Sequence, residues 1–246
     1  MAALRKLTWL ETKLLAREPF ALIFTLGFPL VLLVVLVGSF QPGDPAFGGA
    51  TPSDYYLASY VGVVIGALGL VVLPAHIAAY RERGVLRRLR ASSIPPWAVV
   101  GAQLGVGLAM TTAGALVLTV AGVVLFGADA PEAPLAVLGA FVLATLAFLA
   151  VGFLLASVTR TARGAQAIGL TLFFPMWLLS GAGPPPEVMG EGMRQISDVL
   201  PLTFAVQAIQ APWLGEAPDG ADLLLLGALL AAAATLAARS LGRSAP

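Results

Sequence analysis

The chain has 246 residues, of which 59% are hydrophobic and 11% charged, and its formal net charge is +1. This composition is too apolar for a soluble globular domain and is typical of a helical membrane protein with several spans. Cysteine is absent, which excludes a disulfide framework, a thiolate metal site and a cysteine nucleophile.

Residues 1–18 predict an amphipathic interfacial helix ahead of the first apolar run. Leucines fall on one helical face with basic residues opposite, and Pro19 ends this helix before the run begins. Glu11 and Glu18 project on the leucine side. Two interpretations stay open for these carboxylates: they pair with the arginines that follow the second span, or they simply reach water.

Six stretches are apolar and long enough to cross a bilayer, which takes about 20 helical residues for a hydrocarbon core of about 30 Å. We therefore predict an all-α membrane protein with six transmembrane helices in a single domain, residues 1–246. The predicted spans are 20–37, 56–79, 98–126, 135–158, 165–181 and 221–238.

Charged residues are sorted by side. Arginine and lysine occur before span one, between spans two and three, between spans four and five and after span six, whereas the other loops are mainly acidic. The positive-inside rule therefore places both termini in the cytoplasm. Because the chain is rich in alanine, glycine, proline and arginine and has no asparagine, we expect a bacterial inner-membrane location.

Residues 81–90, RERGVLRRLR, carry five arginines directly after the second span. On a helical wheel they form a narrow apolar stripe flanked by arginines, which predicts a helix at about 81–91 lying flat on the cytoplasmic surface. Such a helix suits two uses. It binds lipid headgroups, at about 1 kcal/mol per basic residue, or it offers a docking surface to a soluble partner.

Residues 184–212 form the largest external segment, and several prolines punctuate it. The apolar part is only about half as long as a span requires. We therefore predict short re-entrant or interfacial helices between spans five and six.

No phosphate-binding loop, zinc-protease motif or nucleophile elbow occurs, so the chain is not expected to be an enzyme or to bind a cofactor itself. His76, the only histidine, favours helix packing over metal ligation. The middles of the spans lack Asp, Glu, Lys and Arg, which disfavours a proton- or sodium-coupled carrier. Energy for transport would then come from a partner.

Uncharged polar residues in the spans favour hydrogen bonds between helices over substrate contacts. These residues are Gln103, Thr111, Thr112, Thr119, Thr145, Gln166 and Thr171. Glycines that recur every three or four residues, such as Gly62, Gly66 and Gly69, predict close helix packing, either within the chain or at a subunit interface.

Two motifs carry a resemblance to a known family. The first follows span two and comprises Glu82, Arg83, Gly84, Leu86, Leu89, Arg90, Ser92, Pro95 and Pro96. The second lies after span five and comprises Ser180, Gly181, the proline cluster, Met189, Ile196 and the stretch from Leu200 to Ala205. Together with six spans and an amphipathic N-terminal helix, these motifs resemble the ABC-2 family of bacterial exporter permeases. Phe204 replaces the commoner tyrosine, and Gln210 stands where a basic residue often occurs.

The resemblance implies a permease that pairs with a second copy or a homologue and with two separately encoded ATPase subunits, which hold ATP and magnesium. A cytoplasmic coupling helix would receive the movement of the ATPase through Arg81, Glu82, Arg83, Gly84, Leu86, Arg87, Arg88, Leu89 and Arg90. The external re-entrant motif would be Pro201, Leu202, Thr203 and Phe204.

By the same resemblance, substrate would pass between two permeases along spans two and five. The uncharged spans favour a lipophilic drug, antibiotic or lipid as substrate, and antibiotic resistance is a corresponding role. Membrane lipids are expected partners and nucleic acid is not. One alternative remains, a non-transporting membrane anchor or assembly protein that recruits a soluble partner through the basic helix.

Overall fold

The computed structural model describes residues 18–41, 43–85 and 96–243, and this part of the chain is helical with no strand. Its helices in chain order are α1 Pro19–Val37, α2 Pro52–Glu82, α3 Pro96–Phe126, α4 Pro134–Val158, α5 Ala162–Leu179, α6 Glu191–Ser197, α7 Pro201–Trp213 and α8 Gly220–Arg243. Short 3-10 turns occupy Pro45–Phe47 and Pro186–Val188.

Five of the described helices, α1 to α4 and α8, are long and apolar enough to cross a membrane by length and composition. The multi-pass helical class is thereby confirmed. Helix α5, the predicted fifth span, has 18 residues, carries Arg163 and Gln166 in its first two turns and contains Pro175. The count of six spans therefore stays a prediction.

Prolines open several helices. Pro19, Pro52, Pro134 and Pro201 each stand in the first turn of α1, α2, α4 or α7. A proline suits this place because its fixed φ is already helical and the N–H that it lacks would have no intrahelical acceptor. The starts of α1, α2 and α4 lie within a few residues of the predicted span boundaries.

Helix α2 occupies the centre of the bundle. Of its most apolar window, 89% is buried within the chain, against 22% for both α1 and α8. It packs against α1, α3, α4, α5 and α7, whereas α8 packs against α4 and α7. An apolar sequence all round a helix is typical of such a central position, and the exposed apolar faces of the outer helices suit contact with lipid.

The middle of α2 is wound as a π-turn over Leu68–Val72, just before Pro74. Proline gives no N–H to the helical ladder, and a wider turn is a common way to accommodate the interruption. Two glycines let neighbouring helices touch this turn. Gly152 of α4 lies against the carbonyl of Gly69, and Gly169 of α5 lies against the carbonyl of Leu70.

Helix α1 repeats this arrangement with a π-turn over Ile23–Gly27 before Pro29. Thr25, inside the turn, is fully buried and lies against Gly114 of α3. The glycines that recur along α2 also serve contacts within the chain, since Gly62 and Gly66 lie against α7 and Gly69 lies against α4. Of the two interpretations of the glycine pattern, the structure shows intrachain packing.

Candidate functional site

Helix α2 carries candidate functional residues at both ends. Its last turn contains Arg81, and we call this side of the bundle the Arg81 end. Its first turn contains Asp54, which defines the opposite side as the Asp54 end. Arg81, Arg160 and Arg163 lie at the Arg81 end, while Asp54, Asp129 and Glu132 lie at the Asp54 end, which also has an arginine, Arg194 of α6.

Helix α2 extends into the arginine-rich run, so what remains of that run after the helix and the turn at Gly84, residues 85–90, is called the basic segment here. The predicted helix at 81–91 starts at Arg81, but Arg81 and Glu82 are the last two residues of α2. The chain turns at Gly84, whose φ of 69° lies in the left-handed region that glycine adopts without strain. Arg81 and Glu82 thus belong to the second long helix, which is a correction to the predicted boundary.

The guanidinium of Arg81 points to α4. Its Nη1 donates to the carbonyl of Thr159 at 2.8 Å, and its Nη2 donates to the carbonyl of Ala156 at 2.5 Å. The last carbonyls of a helix lack intrahelical donors, and the C-terminal end of the helix dipole attracts a cation. Arg81 therefore caps α4 from a neighbouring helix, a contact that no sequence pattern indicates.

The other predicted coupling residues divide into two groups. Glu82 and Arg83 are exposed at the end of α2, and Gly84 is half-buried. Leu86, Arg87, Arg88, Leu89 and Arg90 lie outside the described residues, as does Glu11. Glu18 immediately precedes α1 and is half-buried. Both the ATPase-coupling role and the pairing of these carboxylates with arginines stay predictions.

The external segment contains two helices, α6 and α7, joined by a short turn. Pro201 opens α7, Leu202 and Thr203 are buried, and Phe204 is half-buried. Leu202 packs against Gly66 of α2. The four residues of the predicted motif thus lie in the first turn of a helix that packs on α2, and entry of this helix into the outer leaflet stays a prediction.

Polar bonds fasten α7 to α2. The amide Nε2 of Gln210 donates to Ser59 Oγ at 2.8 Å and to the carbonyl of Tyr55 at 3.3 Å. Ser59 Oγ in turn donates to the carbonyl of Tyr55 at 2.7 Å. Gln210 stands where the resemblance suggests a basic residue, and its neutral amide meets a hydroxyl and a carbonyl with no need for a counter-charge.

Three tyrosines of α2 bind the last turn of α5 and the residues that follow it. Tyr55 Oη donates to the carbonyl of Gly181 at 3.0 Å, and Tyr56 Oη donates to the carbonyl of Gly183 at 3.2 Å. Tyr60 Oη accepts a hydrogen bond from Trp177 Nε1 at 3.3 Å. The buried tyrosines thus hold the start of the external segment against α2. No local sequence signal identifies these pairs, because their partners lie more than 100 residues away in the chain.

Asp54 fastens the loop between α3 and α4 to the start of α2. Its Oδ1 accepts a hydrogen bond from the backbone N–H of Asp129 at 2.7 Å, and its Oδ2 accepts one from Thr51 Oγ1 at 2.5 Å. Trp213 of α7 donates through Nε1 to the carbonyl of Asp129 at 3.3 Å. Three separate parts of the chain therefore meet at Asp129.

A family model described as ABC-2 type transporter matches residues 2–213, which is most of the chain and includes both ends of α2. The chain belongs to the ABC-2 type transporter family. The permease is thus the membrane-spanning subunit of an ABC transporter, and members of this family typically pair with ABC ATPase subunits. Among curated proteins, none matches the chain significantly.

Three threonines within the spans of the permease bond to their own helices. Thr111, Thr119 and Thr171 donate to the carbonyls of Gly107, Ala115 and Ala167, at 2.8 to 2.9 Å in each case. Within the described chain, the hydrogen bonds that these three hydroxyls donate are to their own helices and not to a neighbouring one. The carbonyl one turn earlier is the nearest acceptor for a helical threonine, so its hydroxyl is satisfied without a partner helix.

The described part of the permease contains no group of three or more His, Asp or Glu residues able to hold a metal ion. His76 lies against Tyr80, with ring centroids 4.4 Å apart. Each end of α2 is fastened to other parts of the chain through hydrogen bonds.

Proposed function

We propose that this permease exports a lipophilic drug, antibiotic or lipid from a bacterial cell, using ATP hydrolysed by two separate ATPase subunits. In this proposal the Arg81 end faces the cytoplasm, both termini lie there, and the permease functions beside a second copy or a homologue. The observation that carries the proposal is the family match over residues 2–213.

The distribution of charge supports a lipophilic substrate. The Asp, Glu and Arg residues of the described helices lie near helix ends, as with Asp54 and Arg81 of α2 and Asp222 in the first turn of α8. Between such ends the predicted spans carry no Asp, Glu, Lys or Arg. A charged substrate crossing the apolar interior without paired groups would meet a large desolvation cost.

The burial pattern favours α5 over α2 as the surface that meets substrate. Ile168, Phe174 and Leu178 are each at least 40% exposed, and Thr171 lies on the same face. Helix α2 is buried within the chain and offers no comparable face in this arrangement. We therefore assign substrate contact to the exposed face of α5 and an internal supporting role to α2.

The position of α6 and α7 favours a substrate exit at the Asp54 end. Gln210, Tyr55 and Tyr56 hold this external segment to the top of α2. In the proposed transporter these short helices close the outer end of the route, and a movement of α2 relative to α4 would displace them.

The proposal is tested on the complex as cells assemble it. The tagged permease is purified from its own membranes, the copurifying subunits are identified, and the complex is reconstituted into vesicles. We expect a P-loop ATPase to copurify and ATP to drive movement of NBD-labelled phosphatidylethanolamine or a lipophilic bisbenzimide dye. A complex with a hydrolysis-deficient ATPase is the matched control and should move neither probe.

Two results would contradict the proposal. Purification without any ATP-hydrolysing partner would remove the energy source, and ATP hydrolysis with no movement of either probe would reject the substrate class. The basic segment is tested separately with Arg87→Glu combined with Arg88→Glu. This pair should abolish ATPase association if the segment docks the ATPase, whereas intact association would assign the arginines to lipid.

A further inference from the structure

We infer that Arg81 is a positioning residue that transmits movement of the basic segment to the turn between α4 and α5. This inference rests on the proposed function, because it concerns how movement of the ATPase reaches the spans. It gives Arg81 a role different from that of the arginines that follow it, since its guanidinium is engaged inside the permease.

Hydrogen bonds join Arg81 both to the end of α4 and to the turn that follows α2. Its side chain donates to the carbonyls of Ala156 and Thr159 at the end of α4. Its own carbonyl accepts a hydrogen bond from the N–H of Gly84 at 3.1 Å, where the chain turns toward the basic segment. One residue thus links the turn after α2 to the end of α4.

The end of α4 is closely tied to the start of α5. Helix α4 ends at Val158 and α5 begins at Ala162, so the intervening turn has only three residues. The first of them, Thr159, is buried and donates through Oγ1 to the carbonyl of Leu155 at 2.9 Å. The last, Thr161, caps α5 by accepting a hydrogen bond from the N–H of Gly164 at 3.0 Å. Displacement of Thr159 would therefore displace the start of α5.

The chemistry of arginine suits this task. A planar guanidinium presents several N–H donors in a rigid fork, so it holds two carbonyls at once, and charge-assisted hydrogen bonds are stronger than neutral ones. A lysine keeps the positive charge near the helix end but acts as a point charge without the fork. Lysine at this position should therefore restore only part of the linkage.

The experiment uses the permease bound to its ATPase and compares Arg81→Gln, Arg81→Lys and a matched control, Arg163→Gln. Arg163 is an exposed arginine in the first turn of α5, close to the same turn. Two quantities are measured: recovery of the ATPase with the tagged permease, and the change in hydrogen exchange of residues 157–164 on adding a non-hydrolysable ATP analogue.

For the wild type and Arg163→Gln we expect ATPase recovery together with a nucleotide-induced change in exchange at the turn. Arg81→Gln should recover the ATPase normally but lose most of that change, since the two charge-assisted bonds that link the elements are gone. In Arg81→Lys the nucleotide-induced change should lie between those of the wild type and Arg81→Gln. A merely structural cap would raise basal exchange at the turn and leave the nucleotide-induced difference intact, so that difference separates the two roles.

The outcomes separate the inference from the proposed function. A full nucleotide-induced change in Arg81→Gln, or none in a wild-type complex that holds its ATPase, would overturn the inference alone. Failure of the wild type to recover any ATPase would overturn the proposed function and the inference together.

Discussion

The side-chain carboxylate of Asp54 accepts a hydrogen bond from the backbone N–H of Asp129 across a distance of 2.7 Å. This bond joins the first turn of α2 to the loop between α3 and α4, and the carboxylate also accepts from Thr51 Oγ1. An acceptor with a full negative charge makes a stronger bond to a backbone N–H than a neutral one does. The Asp54 end is thus held by a carboxylate that is itself largely buried.

Replacing Asp54 with alanine should destabilise the permease. The N–H of Asp129 would lose its acceptor, at a cost of about 1–3 kcal/mol in the free energy of unfolding. Thermal unfolding of the detergent-solubilised permease, followed by tryptophan fluorescence, would show this as a lower midpoint. The control is Asp198→Ala, which removes an exposed carboxylate at the end of α6. An equal loss in both variants would contradict a specific role for Asp54.

The bond between Gln210 and Ser59 should appear as a coupling energy. In a double-mutant cycle of Gln210→Ala and Ser59→Ala, the double variant should lose less stability than the two single losses combined, by about 0.5–1.5 kcal/mol, because each single change already removes the bond that the two side chains share. The measurement is the midpoint of thermal unfolding for all four proteins. Gln207 lies on α7 and is half-buried like Gln210, so Gln207→Ala with Ser59→Ala is the control cycle. It should be additive, and strict additivity in both cycles would refute the bond.

Gly152→Ala should be far more damaging than Gly139→Ala, although both glycines lie in α4. A methyl group at Gly152 would come within 2.5 Å of the carbonyl oxygen of Gly69 in the π-turn of α2, whereas nothing lies within 4 Å of one at Gly139. We expect overpacking to cost about 1–3 kcal/mol at Gly152. At Gly139 we expect a gain of up to about 1 kcal/mol from helix propensity. The yield of monodisperse protein and the midpoint of thermal unfolding are measured for both variants. Equal values for the two variants would show that α2 and α4 are not in close contact at Gly152.

Two substitutions at Gly84 distinguish a requirement for its backbone conformation from a requirement for the space beside it. Its φ is 69° and nothing lies within 4 Å of the place that a methyl group would occupy, so alanine meets only conformational strain, of about 1–2 kcal/mol. Asparagine tolerates the left-handed region better than alanine. We therefore expect Gly84→Asn to retain more ATPase recovery than Gly84→Ala in a pull-down. Worse recovery for the larger asparagine would indicate instead that a partner packs against the glycine.

Much of the helical plan is readable from the sequence. Apolar length identifies α4 almost to the residue, since the predicted span is 135–158 and the helix is Pro134–Val158. Prolines mark helix starts because of their fixed φ, and Thr51 followed by Asp54 has the spacing of a capping box. These signals work because each depends on a few neighbouring residues.

The contacts at both ends of α2 depend instead on residues that are distant in the chain. Arg81 reads as one of five arginines in a basic run, and nothing local distinguishes it from Arg83, which is exposed. Its partners at Ala156 and Thr159 are backbone carbonyls, which carry no sequence identity. The predicted second span is also shorter than α2, because the first and last turns of this helix contain polar residues that hydropathy excludes from a span.

Helix α2 is 31 residues long and held at both ends to its neighbours. The rise from Asp54 to Arg81 is about 40 Å, close to the thickness of a bilayer with its headgroups. A helix without such ties can adapt to a thinner membrane by tilting independently of its neighbours. Because Asp54 ties α2 to the loop before α4 and Arg81 ties it to the end of α4, we expect α2 and α4 to tilt together and the activity of the permease to vary with lipid acyl-chain length.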